Sequence, residues 1–129
     1  MNKFQPARGE IWYANLEPSM EHEQGGTRPC LIISNNKFNL SSADLVIIAP
    51  ITSRKKNIIS HVAINPPEGG LAKPSFIMCE QLRTITKERL TNNALGNISI
   101  STIKVVEEHL RRLLGFQNII TSENYNILN

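Results

Sequence analysis

Residues 21–33 read EHEQGGTRPCLII. The stretch begins as a polar loop, because Gly25 and Gly26 permit positive φ angles and let another backbone or a ligand come close. Pro29 then biases Arg28 toward an extended conformation, and the apolar run after it is typical of a strand buried on both faces. Loops anchored on rigid strands commonly carry binding and catalytic groups. A polar connection with a solvated arginine would have the same composition.

Short apolar runs on either side of this stretch predict further strands. They are separated by turn-forming residues and are rich in β-branched or aromatic side chains. Pro50 is expected to end the third run, and residues 83–86 either extend the fifth run or bend away from it. The predicted strands are residues 10–16, 30–34, 45–49, 61–64 and 75–82.

Helical spacing is confined to a segment near the C-terminus that begins at about residue 101. Ser99 or Ser101 can cap its start, and Gly115 suits its end. Many short strands followed by one helix predict a mainly β fold, a small curled antiparallel sheet or barrel with a C-terminal α-helix. The apolar stripe of the helix is Ile103, Val106, Leu110, Leu113 and Leu114.

The length and composition of the chain indicate one domain. Its 129 residues can bury a sizeable core, so we expect a single domain over residues 1–129, in which the tail 117–129 receives no assignment. The net charge of +3 is compatible with a polyanionic partner. No apolar run approaches the roughly 18 residues of a membrane span, and residues 1–6 lack the apolar centre of a signal peptide. These features predict a cytoplasmic protein.

The acidic residues, cysteines and histidines do not predict a metal or cofactor site. Asp44 is the only aspartate, and no pair of carboxylates is spaced as a magnesium site requires. Cys30 and Cys79 each lie within an apolar run, which predicts buried free thiols rather than a disulfide or zinc site. The histidines are scattered at positions 22, 61 and 109. A metal enzyme is therefore not expected.

Five segments of the chain, in order and with suitable spacing, resemble the MazF/PemK/Kid toxin endoribonucleases. The resemblance spans about residues 8–116, and a C-terminal helix follows the last segment as in that family. His22, directly before the third segment, resembles the PemK/Kid branch in particular. The segments are RGEIW at 8–12, LEP at 16–18, EQGGTRP at 23–29, PITS at 50–53 and EQLRTI at 80–85.

The resemblance implies an SH3-like barrel that forms a homodimer. It also implies cleavage of single-stranded RNA, including mRNA, at short sequences without a metal, leaving a 2′,3′-cyclic phosphate and a 5′-hydroxyl. A cognate acidic antitoxin of the MazE/PemI kind would block the site, and operator DNA would be bound only through that antitoxin. The alternative within this fold is a CcdB-like toxin that binds DNA gyrase without chemistry. A binding module without chemistry is disfavoured. Such modules usually bind their ligands through exposed aromatic side chains, and this chain has one tryptophan and two tyrosines.

The same resemblance assigns catalytic roles to four residues. The arginine and threonine of the family correspond to Arg28 and Thr52, and the histidine and acid of the Kid-like branch correspond to His22 and Glu80. The catalytic arginine of that branch falls on Met78 here, which leaves Arg28 as the arginine expected to act.

Elementary chemistry supports these assignments. The guanidinium of Arg28 can contact two phosphate oxygens and stays protonated, and Thr52 offers a small hydroxyl donor. His22 is either a proton shuttle or an ordinary surface histidine. Glu80 either pairs with Arg28 or Arg83 or serves as a base. The residues expected to bind RNA are Glu23, Gln24, Gly26, Thr27, Ser53, Arg54, Gln81 and Arg83.

Overall fold

The computed structural model describes residues 5–117, apart from the side chain of Asn92. This part of the chain forms one antiparallel sheet and two α-helices, α1 (Asn36–Asn39) and α2 (Ile100–Leu114). None of the described helices is long and apolar enough to cross a membrane. The strands are β1 (Glu10–Asn15), β2 (Thr27–Ile32), β3 (Leu45–Thr52), β4 (His61–Ile64), β5 (Ser75–Met78), β6 (Arg83–Thr86) and β7 (Leu90–Asn97).

The sheet has the order β4-β5-β3-β2-β1-β7, and β6 pairs with β3 outside this path. All its pairings are antiparallel. The predicted mainly β fold with a C-terminal helix is therefore confirmed. The sheet is not closed into a barrel within residues 5–117, because no pairing joins β4 to β7 there. The unassigned tail lies beyond the described residues from position 118 onward.

Strand β3 continues through Pro50 to Thr52, so the expectation that Pro50 ends the strand is wrong. The physical reason is a change of neighbour along one edge of β3. Leu45–Ile48 pair with β6 and Ile51–Thr52 pair with β5, and Pro50 lies between these two sets. Its missing N–H therefore costs no hydrogen bond on that edge. The result is a strand that carries Thr52 beyond the proline.

The expected strand over 75–82 is also shorter than predicted. It ends at Met78, and a 3₁₀ turn over Cys79–Gln81 then redirects the chain into β6. Ile48 pairs with β2 on one side and with Arg83 of β6 on the other. Strands β5 and β6 therefore follow each other along the same edge of β3. Glu80 lies in the turn between them and not in a strand.

Strand β7 was not predicted from the sequence. Its residues LTNNALGN have neither alternation nor a high content of β-branched side chains. Pairing with β1 holds it in place, and a close backbone contact fixes its end, since a Cβ on Gly96 would lie 2.7 Å from the backbone of Gly69. Tertiary contact overrides local propensity here.

The core occupies both faces of the sheet, as the continuous apolar run of β2 predicts. Leu31 packs into the cluster under α2, whereas Cys30 and Ile32 pack into the cluster on the opposite face. Cys30 and Cys79 are buried free thiols, as predicted. Burial raises the pKa of each thiol to about 12, so both are neutral and unreactive at physiological pH.

Helix α2 begins after Ser99, whose hydroxyl accepts from the Thr102 N–H, and ends at Gly115 in the left-handed conformation. Val106 and Leu110 are buried against the sheet. The expected apolar stripe is only partly correct, because Leu113 and Leu114 are 47% and 52% exposed. These two side chains belong to neither core cluster.

Candidate active site

A cleft of about 290 Å³ opens where β3 ends. It brings together Arg28 and Thr52, the two residues to which the sequence assigned the central roles. Thr27 and Ser53 also line it, as candidates for contacts with RNA. The complete lining is Tyr13, Thr27, Arg28, Pro29, Ile51, Thr52, Ser53, Leu71, Ala72, Lys73 and Ser75.

The guanidinium of Arg28 is oriented by backbone carbonyls. Its Nε donates to the Gly25 carbonyl at 2.9 Å, and its Nη1 lies 3.4 Å from the carbonyl of Ile51. Nη2 has no hydrogen-bond partner among residues 5–117 and remains available to a ligand. The planar fork is thus fixed on one side and free on the other, the arrangement that suits a phosphate.

Thr52 is the last residue of β3 and is only 5% exposed. Its Oγ1 accepts from the backbone N–H of Arg54 at 3.2 Å. The hydroxyl proton is not used in this bond, so Thr52 can still donate to a bound ligand. Arg54 itself is exposed directly after the cleft.

The loop that precedes Arg28 is held at its base by Glu17. The Glu17 carboxylate accepts from the Gly26 N–H at 2.6 Å and from the hydroxyl and N–H of Ser19. Chiefly the bond from Gly26, and then that from Ser19, lowers the pKa of Glu17. A Cβ on Gly25 would lie 2.2 Å from the Ser19 hydroxyl and 2.3 Å from the Glu17 carboxylate. A larger residue at position 25 would therefore displace the side chains of Ser19 and Glu17 that hold the loop.

His22 and Gln81 meet at the other side of the loop. The Gln81 side chain donates from Nε2 to the His22 carbonyl at 3.0 Å and accepts the Gln24 N–H on Oε1 at 3.0 Å. The residue His22 is exposed and does not line the cleft. Glu23 is also exposed, and its carboxylate accepts the N–H of Met20 at 2.8 Å.

Glu80 forms neither of the ion pairs considered from the sequence. Its carboxylate accepts from the Ser60 hydroxyl at 2.6 Å and contacts His61 Nε2 at 2.7 Å. Burial alone would raise the pKa of Glu80, but the hydrogen bonds from Ser60 and His61 outweigh it and lower the pKa. Arg83 instead donates to the Leu16 carbonyl at 3.2 Å. Glu80 is thus ionised at neutral pH and is not among the residues that line the cleft.

Among the residues that line the cleft without having been predicted, Tyr13 and Lys73 carry side chains suited to contact a nucleic acid. Tyr13 is 38% exposed and projects between the buried Trp12 and Ala14 of β1. Lys73 is exposed in the segment that leads into β5. The outward position of Tyr13 could have been read from the alternation of β1, but nothing local to Lys73 indicates that its segment closes one side of the cleft.

No group of three histidine, cysteine, aspartate or glutamate side chains in the described part of the chain is placed to hold a metal ion. His61 approaches Glu80 but has its Nδ1 buried without a hydrogen-bond partner among residues 5–117. The chemistry that the cleft itself offers is that of fixed hydrogen-bond donors and a positive charge.

Comparison with known proteins identifies relatives over most of the chain. The sequence profile of the "PemK-like, MazF-like toxin of type II toxin-antitoxin system" matches residues 7–114. Endoribonuclease EndoA of Bacillus subtilis (strain 168) is 41% identical over 87 residues, which are 66% of this chain and 74% of that protein.

Solved structures show the same fold. MazF from Deinococcus radiodurans superposes with a TM-score of 0.79 and 25% identity, covering 88% of this chain and 100% of that one. An endoribonuclease from Mycobacterial species, in complex with its cognate antitoxin, has a TM-score of 0.72 and 25% identity over 87% of this chain and 97% of its own.

Proposed function

Because this chain belongs to the PemK-like, MazF-like toxins of type II toxin–antitoxin systems, we propose that it is an endoribonuclease. Its substrate is single-stranded RNA, including mRNA, and its action in the cytoplasm inhibits translation and growth. The observation that carries this proposal is the meeting of Arg28 and Thr52 in one cleft. The relative EndoA, named as an endoribonuclease, supports it.

The proposed reaction is an internal transfer at phosphorus. The 2′-hydroxyl oxygen of the RNA bonds to the adjacent phosphorus, its proton leaves to a base, and the bond from phosphorus to the 5′-oxygen breaks as that oxygen takes up a proton. The products are a 2′,3′-cyclic phosphate and a 5′-hydroxyl. DNA lacks the nucleophile and is not cleaved.

Arg28 and Thr52 stabilise the negative charge that develops at phosphorus. Nε and Nη1 of Arg28 are directed to backbone carbonyls, whereas Nη2 has no hydrogen-bond partner among residues 5–117 and can donate to a phosphate. Donors that are fixed before the reaction stabilise the transition state without reorganisation. The reaction as proposed requires no metal, since the guanidinium supplies the positive charge.

The proton-transfer roles of His22 and Glu80 stay predictions. His22 carries an imidazole, a side chain that often transfers protons in enzymes, and its backbone carbonyl accepts from Gln81 Nε2 at 3.0 Å. The lowered pKa of Glu80 makes its carboxylate a weak base. We therefore propose His22 as the proton-transfer residue and Glu80 as a charge that orients its neighbours.

Cations and one aromatic ring around the cleft suit a single-stranded nucleic acid. Lys73 lines the cleft. Ser53 also lines it, and the exposed basic residues 54–56 come directly after Ser53 in the chain. Tyr13 presents an exposed ring beside Arg28 on which a base can stack. Stacking and backbone charge together bind single strands.

The test is cleavage of a long RNA in excess EDTA, with a DNA of the same sequence as the control. We expect cleavage of RNA alone and cyclic-phosphate ends. Activity that disappears with EDTA and returns with Mg²⁺ would contradict the metal-free reaction. Inhibition of gyrase without RNA cleavage would instead favour the CcdB-like alternative.

We also propose that the protein is a homodimer controlled by a cognate acidic antitoxin of the MazE/PemI kind. Exposed apolar side chains on and after α2, including Leu113, Leu114 and Phe116, offer a surface for a second copy. The antitoxin would occupy the basic cleft, and operator DNA would be bound only through it.

Light scattering over a dilution series tests the dimer, and a monomer at micromolar concentration would refute it. We propose that the neighbouring reading frame encodes the antitoxin, and co-expression of that frame tests the pairing. Growth arrest that persists despite abundant neighbour protein would refute the pairing.

A further inference from the structure

The side chain of Gln81 joins two parts of the chain that are far apart in sequence. Its two hydrogen bonds span 57 and 59 positions and end on the backbone at Gln24 and His22. The amide oxygen of Gln81 accepts the Gln24 N–H, and its amide nitrogen donates to the His22 carbonyl, as the chemistry of the two atoms requires. The amide therefore holds the loop in one orientation.

The turn that carries Gln81 is itself anchored. Cys79, at its start, is buried in the core, and the Leu82 N–H closes the turn on the Cys79 carbonyl at 3.3 Å. Glu80 is bound by Ser60 and His61. Gln81 thus extends from a fixed base, as a positioning group requires.

The loop needs such a support. Glu21, beside His22, has a φ of 40°, a conformation that costs free energy in a residue with a side chain. The bonds between Met20 and Glu23 are local, whereas those from Gln81 tie this part of the loop to the turn between β5 and β6. A strained conformation persists only where its surroundings determine it.

The support continues to Arg28. The Gln24 N–H is held by Gln81, and the next residue, Gly25, presents the carbonyl that accepts from Arg28 Nε at 2.9 Å. We infer that Gln81 is a positioning residue for RNA cleavage, which orients the Arg28 guanidinium through Gln24 and Gly25 and does not need to touch RNA itself. This inference rests on the proposed function.

The test uses Gln81→Met, which keeps the length of the side chain and removes both hydrogen-bonding atoms. Gln117→Met is the matched control, because Gln117 is exposed beyond α2. We expect Gln81→Met to lower kcat on the order of 10- to 100-fold with little change in KM, since small misplacements of reacting groups cost that much. The control is expected to match wild type in both constants.

A double variant separates positioning from direct contact. If Gln81 acts through Arg28, then Arg28→Ala/Gln81→Met cleaves at nearly the rate of Arg28→Ala alone. Losses that multiply, or a raised KM with unchanged kcat, would overturn the inference in favour of direct contact with RNA. Gln81→Glu, which keeps an acceptor for the Gln24 N–H, is a second variant and should fall between Gln81→Met and wild type.

Amide hydrogen exchange in the absence of RNA provides a readout that does not depend on activity. Gln81→Met should speed exchange at Gln24 and leave the amides of β3 unchanged. Unchanged exchange at Gln24 would contradict the proposal that Gln81 holds the loop. Wild-type protein that leaves RNA intact would refute the proposed function. Faster exchange at Gln24 in Gln81→Met would even then support the hold of Gln81 on the loop.

Discussion

Replacement of Arg28 by alanine separates a loss of catalysis from a loss of folding. The variant loses a donor to the Gly25 carbonyl at 2.9 Å and a weaker contact to the Ile51 carbonyl at 3.4 Å. With a net contribution of about 0.5–1.5 kcal/mol for an ordinary hydrogen bond, the free energy of unfolding falls by roughly 1–2 kcal/mol. A domain with about 5–15 kcal/mol of stability remains folded after such a loss.

The catalytic effect is expected to be larger than the structural one. Loss of one fixed transition-state donor costs roughly 10²–10³-fold in rate, or about 2.7–4 kcal/mol. Arg28→Lys retains the charge but not the planar fork or the Nε–H that reaches Gly25, so its rate should lie between those of Arg28→Ala and wild type. The rates are measured in single turnovers with saturating RNA, next to thermal unfolding of each variant.

Arg112→Ala is the control for removing a guanidinium elsewhere. Arg112 is 69% exposed and pairs with Glu108 at 3.1 Å on α2, and an exposed pair of this kind contributes little to stability because solvent screens it. Its cleavage rate should equal that of wild type. Arg28→Ala that cleaves within a few-fold of wild type would refute the assignment of Arg28 to the phosphate.

The other predictions concern Thr52, His22 and Glu17. Thr52→Val removes the hydroxyl that accepts from Arg54 and should slow cleavage by up to about 10²-fold, whereas Thr52→Ser should retain most of the rate in the same assay. His22→Ala should lose roughly 10²–10⁴-fold and flatten one limb of the pH–rate profile; a few-fold loss with an unchanged profile would make His22 an ordinary surface residue. The lowered pKa of Glu17 contributes stability that is present above its ordinary value of 4.5 and is lost as the pH falls through the folded-state pKa. Glu17→Gln should therefore flatten this dependence in thermal unfolding measured below about pH 4.5, and an unchanged slope would contradict the bond to Gly26.

The sequence predicts the parts of the fold that depend on local patterns. The apolar run of β2 is buried on both faces, β4 has its predicted bounds, and α2 is capped by Ser99 and Gly115. The passage of β3 through Pro50 depends on which strands lie along its edge, and this cannot be read from the proline itself. Strand β7 likewise forms because β1 offers an edge, although its own residues do not favour a strand.

The candidate site likewise combines residues that local motifs identify with residues that only tertiary contacts place. Arg28 and Thr52 were identified from short motifs, and the structure brings them into one cleft. The partners of Glu80 were not predicted, because Ser60 and His61 reach it only through the pairing of β4 with β5. Lys73 was missed for a similar reason, since its place in the same cleft as Arg28 depends on how the chain folds back before β5.

The pairing of β7 with β1 has a consequence for how this protein folds while a ribosome is still synthesising it. β1 carries Tyr13 and borders β2, which carries Arg28, and among residues 5–117 its other edge pairs with β7, residues 90–97. A nascent chain that has not reached this segment exposes β1 as an open edge. The cleft therefore gains its full support only when nearly all of the described chain has been synthesised, so a truncated product of translation would lack a stable site.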